Sequence, residues 1–396
     1  MDTATAAGVL QQRLRTREAR FLALARHAIY EHPRSPYRPL LDAAGCQYGD
    51  LEALVGSHRL EGTLSRLAGA GVRFTFDEFK RRSAEFDNPL CAVHFEARSG
   101  GTRSTGTSVN IGLPFIADLA VETRLALDAH GLAGADHAVW MLTGVNLVLL
   151  YSKLGHPPLG WFYPARPLPR RTQLGAAYLA LLGRLAGVRL PRPVFHDLRD
   201  PRGMAEWLAA RAAGRRALCV TAYASSAVRV AGEARDRGLD LERVTFITLG
   251  EPFTTAKQRV VAAAGASVLV RFAVTEVGIL GYRCARSQAS DDLHFLSDAH
   301  AVVQHRRPVG DHDLSVQAFL FTSLLASAPK ILLRDRRLRR GRGAGVRVCA
   351  RSAGVDDTPP GHPELREAQR RGHDVRPHGL AAGPGGSPAR AVRRGR

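Results

Sequence analysis

Disulfide chemistry has nothing to build on in this chain. Its five cysteines (Cys46, Cys91, Cys219, Cys284 and Cys349) are scattered through 396 residues without framework spacing, a usage that fits a reducing compartment. An export signal is also missing, because no N-terminal stretch joins a basic segment to an apolar run and a small-residue cleavage site. The longest apolar run, Ala138 to Leu150, is too short for a bilayer and carries Asn146, so a buried helix or strand is expected there. No solenoid-type repeat is visible. These absences imply a cytoplasmic protein with no membrane partner. Nothing in them fixes an oligomeric state.

What is present suits a globular fold. A 45% hydrophobic content over this length can bury a large core, enough for one large domain or two ordinary ones. The formal charge of +20 would ordinarily point to nucleic acid, but its distribution argues otherwise. From Arg334 onward there are 16 Arg, no Lys and 6 acids, so less than a fifth of the chain holds half the excess. The body before it is mildly basic, suited to anionic ligands such as a nucleotide or coenzyme A.

Leu10, Leu14, Phe21, Leu24 and Ala28 recur at helical spacing and predict an amphipathic N-terminal helix, broken by Pro33, Pro36 and Pro39. Leu40 to Leu54 reads as short helices punctuated by Gly45 and Gly49. Val72 to Phe76 reads as a strand, with Asp77 as the N-cap of a following helix. The clearest pattern lies between Ala217 and Phe272. Apolar runs 217–221, 244–249 and 267–272 alternate with helical stretches 226–237 and 255–264. That alternation predicts an α/β fold with a parallel sheet and helices packed against it. Ligands in such sheets gather where strands end.

Three segments carry candidate chemistry. The first is Ser99-Gly100-Gly101-Thr102-Arg103-Ser104-Thr105-Gly106-Thr107-Ser108. Its glycines let the backbone approach a ligand, and its hydroxyls and amides can donate to phosphate oxygens. It is not a Walker loop, since no Gly-Lys-Ser/Thr ends it. Composition alone supports a plain polar loop equally well. The second is Gly250-Glu251-Pro252, directly after an expected strand, where backbone can lie against a flat base. The third is Thr275-Glu276, again at a strand end, where a hydroxyl beside a carboxylate can hold a phosphate oxygen and Mg²⁺ together. Taken singly, the last two read more readily as a turn and a helix start.

In combination their order resembles the acyl-adenylate-forming superfamily, and their flanks look more specifically like phenylacetate–coenzyme A ligases. Ser35-Pro36-Tyr37-Arg38-Pro39-Leu40-Leu41 with Ala44-Gly45 resembles that family's "PFYRRLFDEAG" stretch. Phe76 to Lys80 resembles its "TTKEDL". Gly281-Tyr282-Arg283-Cys284 with Leu293-His294-Phe295 resembles the segment after its Thr-Glu motif, and Ala318 to Leu324 resembles its "ELVFTTL" strand. The likeness runs from about Ile29 to Leu333. It implies a large adenylation-type N-terminal domain over residues 1–333, with parallel sheets flanked by helices. Ser99 to Thr107 would cradle the β- and γ-phosphates of ATP, and Gly250 to Pro252 would line the adenine pocket. Thr275 would contact a phosphate, and Glu276 would hold Mg²⁺. A small carboxylic acid would attack the α-phosphate, and coenzyme A would then take the acyl group. The departures are a phosphate loop with no nearby Lys and Phe272-Ala273 in place of Tyr-Gly. Cys284 and His294 also resemble two of four zinc ligands seen in some of these ligases. The other two form a Cys-x-Cys pair, whereas only Cys349 lies downstream here. Structural Zn²⁺ takes four ligands, so a buried Cys and a loop His is the favoured reading.

After Leu333 the likeness stops. The family's Thr-Gly-Asp segment and small α+β lid should follow, but residues 334–396 are rich in Arg, Gly and Pro. Such a composition predicts disorder or a nucleic-acid-binding tail. A shifted reading frame is the sharper explanation. Codons permitted for Asp335 to Leu338, read one nucleotide later, can encode Thr-Gly-Asp-Tyr. The same shift yields Cys-Gly-Cys over Arg347 to Arg351 and a lid-like stretch over His362 to Ala368. Two other functional readings stand beside the ligase: transfer of the acyl group to a protein thiol, and a non-catalytic basic protein using the Arg-rich tail on nucleic acid. The sequence does not identify the acid. Trp140, Trp161, Phe162 and Tyr223 could shape an aromatic pocket, with core packing the plainer role for each.

Overall fold

The structure is a computed structural model describing residues 1–98, 108–142, 144–164, 170–214, 216–286, 292–309, 312–330 and 333–336. The Ser99–Thr107 loop, Cys349, residues 337 and 338 and the stretches 347–351 and 362–368 that a shifted reading frame would recode lie outside the described residues. Eleven α-helices are described: α1 (Thr3–Arg15), α2 (Arg17–Ala25), α3 (Arg38–Ala43), α4 (Tyr48–Gly69), α5 (Phe76–Arg81), α6 (Leu113–Ala129), α7 (Gly144–Lys153), α8 (Arg170–Leu185), α9 (Arg202–Ala212), α10 (Ala224–Asp236) and α11 (Thr255–Ala262). The strands are β1 (Phe95–Arg98), β2 (Ser108–Ile111), β3 (Asp136–Trp140), β4 (Gly160–Tyr163), β5 (Pro193–Phe195), β6 (Leu218–Tyr223), β7 (Val244–Leu249), β8 (Ser267–Val274), β9 (Gly278–Arg283), β10 (Leu293–Phe295), β11 (His300–Val309), β12 (His312–Ser323) and β13 (Leu333–Arg336).

The central sheet has eight strands in the order β10-β9-β8-β7-β6-β3-β4-β5. The six from β8 to β5 are parallel, and β9 and β10 join antiparallel. Strands buried on both faces read as continuous apolar runs, which is why 217–221 and 244–249 are visible in the sequence. On one face Cys219, Ile247 and Leu269 pack with Phe115, Ile116, Val148 and Tyr151 of α6 and α7. On the other, Val220, Ala222 and Phe246 pack with Met204, Leu208, Val230 and Val261 of α9, α10 and α11. Paired hydroxyls fix the first layer: Tyr151 to Thr221 at 2.6 Å and Thr123 to Tyr282 at 2.9 Å. A third core joins α2 and α4 to β11 and β12, with β11, β12 and β13 in antiparallel order. Arg13 clips α1 to α6 and the β10–β11 turn by reaching Asp118 at 2.5 Å and Asp298 at 3.5 Å.

Several local expectations change. The N-terminal helix is two helices broken at Thr16, whose amide bonds back to Gln12 O. Gly45 does end α3, in the left-handed region at φ 64°, but Gly49 sits in the first turn of α4 and punctuates nothing. Residues 72–76 form no strand. The cap of α5 is Thr75 rather than Asp77, with Thr75 and Glu78 bonded reciprocally as a capping box. The run from Ala138 to Leu150 divides into β3 and the first part of α7. Strand β13 pairs with Phe319–Thr322, so Arg334 to Arg336, placed in the expected tail, continue the sheet.

Candidate functional site

Strand order reverses between β3 and β6, since the chain runs outward through β4 and β5 on one side and through β7 and β8 on the other. Parallel α/β sheets bind ligands at the carboxyl ends of strands beside such a reversal. Here that edge is formed by Tyr223 after β6, Gly250 after β7 and Thr275 after β8. The register sets these strands side by side, with Tyr223 beside Leu249 and Thr248 beside Val270, and β8 runs past the end of β7 before reaching Thr275.

The Gly250–Pro252 segment is pinned on both sides. Gly250 holds φ 83°, and a Cβ there would meet Tyr223 Cδ1 at 3.2 Å, so glycine satisfies both backbone and contact. Glu251 turns its carboxylate onto the N-terminus of α10, accepting from Ser225 N at 3.0 Å and Ser225 Oγ at 2.7 Å. A carboxylate is favoured there because it meets free amides and the positive end of the helix dipole. Lys257 closes the other side, donating to Glu251 Oε2 at 3.4 Å and Pro252 O at 2.8 Å. The Tyr223 ring lies partly buried over the loop, and burial raises its phenol pKa. Ser225 and Lys257 were not singled out from sequence. Their local signal is slight, because a serine and a lysine in the first turns of two helices are ordinary.

Thr275, Glu276 and Val277 form the turn of the β8–β9 hairpin, closed by Val277 N donating to Val274 O at 3.1 Å. Thr275 is partly exposed, whereas Glu276 is buried at 4% exposure. The turn is braced twice. Gly278, at φ 101°, abuts α6 so closely that a Cβ would stand 2.8 Å from Leu119 Cδ2 and 3.0 Å from Phe115 Cζ. Lys330 N donates to Glu276 O at 3.2 Å, while the buried Lys330 ammonium bonds Asp87 Oδ1 at 2.5 Å and Ser83 O at 2.7 Å.

The Ser99–Thr107 loop itself is outside the described residues, but the hairpin that carries it is not. Arg98 pairs with Ser108 at its neck. Its base is tied to the strap leading to Lys330, since Asn88 Nδ2 donates to Ala326 O at 2.9 Å and Ala328 O at 2.8 Å. Val109 and Ile111 of β2 share a core cluster with Ile279 and Tyr282 of β9. The described residues therefore place Gly250–Pro252 and Thr275–Glu276 after the neighbouring strands β7 and β8 and tie the base of the third segment to the strap that holds Glu276.

Cys284 and His294 face each other across β9 and β10, Sγ to Nε2 at 3.0 Å. Among the described residues no three metal-binding side chains gather, so this pair alone does not fit structural Zn²⁺. Nor do the four aromatic candidates make one pocket. Trp140 and Phe162 pack toward α9 and Trp161 toward the opposite face, leaving Tyr223 at the site.

This is the mixed α/β fold of an adenylate-forming N-terminal domain. Among solved structures, 2-hydroxyisobutyryl-CoA ligase in an open conformation with 2-HIB-AMP and CoA shares it at TM-score 0.54 and 15% identity, over 81% of this chain and 68% of that one. The same ligase in its thioesterification state matches at TM-score 0.54 and 14% identity, over 82% of this chain and 62% of the other. In its postadenylation state with 2-HIB-AMP it matches at TM-score 0.54 and 14% identity, over 80% and 60%. The chain thus spans between 60% and 68% of these neighbours' length. No protein-family model and no curated protein matches the sequence. No described helix is long and apolar enough to cross a membrane.

Proposed function

We propose that this chain is the adenylation core of an acid–coenzyme A ligase of phenylacetate–coenzyme A ligase type, and that in this form it turns over poorly. The observation that carries the reading is that Gly250–Pro252 and Thr275–Glu276 follow the neighbouring parallel strands β7 and β8, while Asn88, ahead of the Ser99–Thr107 hairpin, is tied to the strap whose Lys330 amide holds Glu276 O. The ligase whose fold it shares was solved with 2-HIB-AMP and CoA, which supports ATP, a small carboxylic acid and coenzyme A as the substrates.

In this reading the backbone of Gly250 to Pro252, held by Ser225 and Lys257, lies along the adenine. The Thr275 hydroxyl donates to a phosphate oxygen. Ser99, Gly100, Gly101, Thr102, Ser104, Thr105, Gly106 and Thr107 enclose the outer phosphates. A carboxylate next to a hydroxyl in sequence suits Mg²⁺, which takes few protein ligands and completes its shell with phosphate and water. Glu276 would hold the ion, whose contribution when bound is neutralising phosphate charge. The acid's oxygen then displaces pyrophosphate from the α-phosphorus, and the coenzyme A thiol displaces AMP. Positioning and charge compensation supply the acceleration.

The proposed impairment rests on the composition of residues 334–396. Family lids close over the site and place a Lys on the reacting groups, and this chain has no Lys after Lys330. Pyrophosphate exchange across a panel of carboxylic acids, run beside direct ATP binding, is the test. ATP binding with little exchange is expected; robust exchange refutes the impairment, and no ATP binding refutes the nucleotide site. Comparing coenzyme A with protein thiols as acceptor separates the ligase from a protein-acylating relative. The gene around Leu333 decides the origin of the tail, since a frame-shift account fails if no single-base shift opens a lid-like frame.

A further inference from the structure

We propose that α8 is a docking surface for an anionic phospholipid bilayer, lying in its interface rather than crossing it. The helix is built with its small residues inward. Ala176 and Ala180 are buried, and a Cβ on Gly183 would meet Val188 O at 2.8 Å and Leu190 Cγ at 2.9 Å. Its large apolar side chains face solvent: Leu174 is 73% exposed, Tyr178 62%, Leu181 56%, Leu182 41% and Leu185 78%. Positions 174, 178, 181 and 185 fall on one stripe of a helix, about 16 Å long at 1.5 Å per residue. A helix serving only its own core turns such a stripe inward, so a contiguous exposed one marks a contact surface.

Charge selects the occupant. From His137 to His196 the chain has no Asp or Glu and seven Lys or Arg. Arg170 and Arg184 on α8, with Arg189 and Arg192 following it, are exposed. A second copy meeting this stripe would bring arginines together with no carboxylate between them. Protein interfaces also surround an apolar centre with a rim of mixed donors and acceptors, whereas cations dominate this rim. A convex ridge of leucines needs a medium that yields around it. Acyl chains do so while lipid phosphates meet the guanidinium groups. The expectation of no membrane partner came from the lack of a spanning segment, and a helix lying in the interface is a different case. The proposal stands independently of the ligase reading.

The test is flotation of the full chain with vesicles of phosphatidylcholine alone and of phosphatidylcholine mixed with phosphatidylserine. The parent should float with the mixed vesicles and not with the neutral ones. Because the tail's arginines could also hold anionic lipid, the deciding variant changes no charge. Leu181→Ser with Leu185→Ser should weaken binding about a hundredfold, roughly tenfold per leucine. Leu14→Ser, at a 41% exposed leucine on α1, should leave it unchanged, and all variants should melt with the parent. The proposal is overturned if the parent ignores anionic vesicles, as expected were the partner an acidic protein. It is equally overturned if the double variant binds as the parent does, or if the variant abolishes a dimer that never binds lipid.

Discussion

Substituting Gly278 by alanine tests whether the Thr275–Glu276 turn is seated on α6. At φ 101° an L side chain is strained, which costs about 1–3 kcal/mol. The new Cβ would lie 3.0 Å from Phe115 Cζ, and Phe115 is 2% exposed, with no room to swing aside. Leu119 Cδ2, at 2.8 Å, must also move. Overpacking of this kind adds about 1–3 kcal/mol, giving roughly 2–6 kcal/mol in all. A body of about 330 residues has an unfolding entropy near 0.7 kcal/mol/K, so the melting temperature should fall by about 3–9 °C. ATP affinity should fall with it, because the turn carrying Thr275 and Glu276 is displaced. Gly232→Ala is the matched control. That glycine lies inside α10 with nothing within 4 Å of an added Cβ, so alanine should stabilise by about 0.5–1 kcal/mol. Gly278→Ala melting within a degree of the parent, with ATP binding intact, would refute the seating.

Glu251→Ala leaves the Ser225 amide and hydroxyl without their acceptor and should cost about 1–2 kcal/mol in thermal or urea unfolding. Nucleotide affinity should fall as well, with Glu251→Gln milder because its amide oxygen can still accept. Glu276→Gln should remove the Mg²⁺-dependent part of ATP binding in calorimetry, by about tenfold or more, while Mg²⁺-independent binding persists. His137 is stacked on Tyr151 at 4.0 Å with neither ring nitrogen bonded, and burial pushes its pKa down to about 3; burial likewise takes His300 down to about 4. Unfolded histidine titrates near 6.5, so below that pH the unfolded state gains protons that the folded state refuses. Stability contributed by both rings is therefore complete above pH 7 and is lost as pH falls from about 6.5 to about 4 for His300 and about 3 for His137, at up to about 1.4 kcal/mol per pH unit each. His137→Phe keeps the stack and should flatten that acid limb in melting temperature against pH; an unchanged slope would contradict the assignment.

The parallel strands were legible because burial on both faces forces continuous apolar runs, and Ala217 to Phe272 shows three of them in βα alternation. Short elements near Thr75 were misread because a capping box and a strand end look alike when partners across space are unknown. The break at Thr16 was hidden because the apolar spacing continues through it. Among the site residues, Gly250 and Glu276 were visible as strand-end positions. Ser225, Lys257 and Lys330 were not, since each matters through a partner distant in sequence or through an ordinary-looking local bond.

Local chemistry along the chain determined the α/β alternation, the strand ends that can carry ligand groups and the basic character of the final segment. These depend on periodicity and composition, which neighbouring residues express by themselves. Only the tertiary structure decided that β3 and β6 are adjacent across the reversal of strand order, that Gly278 abuts Phe115, and that α8 turns its leucines outward. Pairing order and helix orientation are set by which surfaces bury one another at long range, and the same local pattern is compatible with more than one such arrangement.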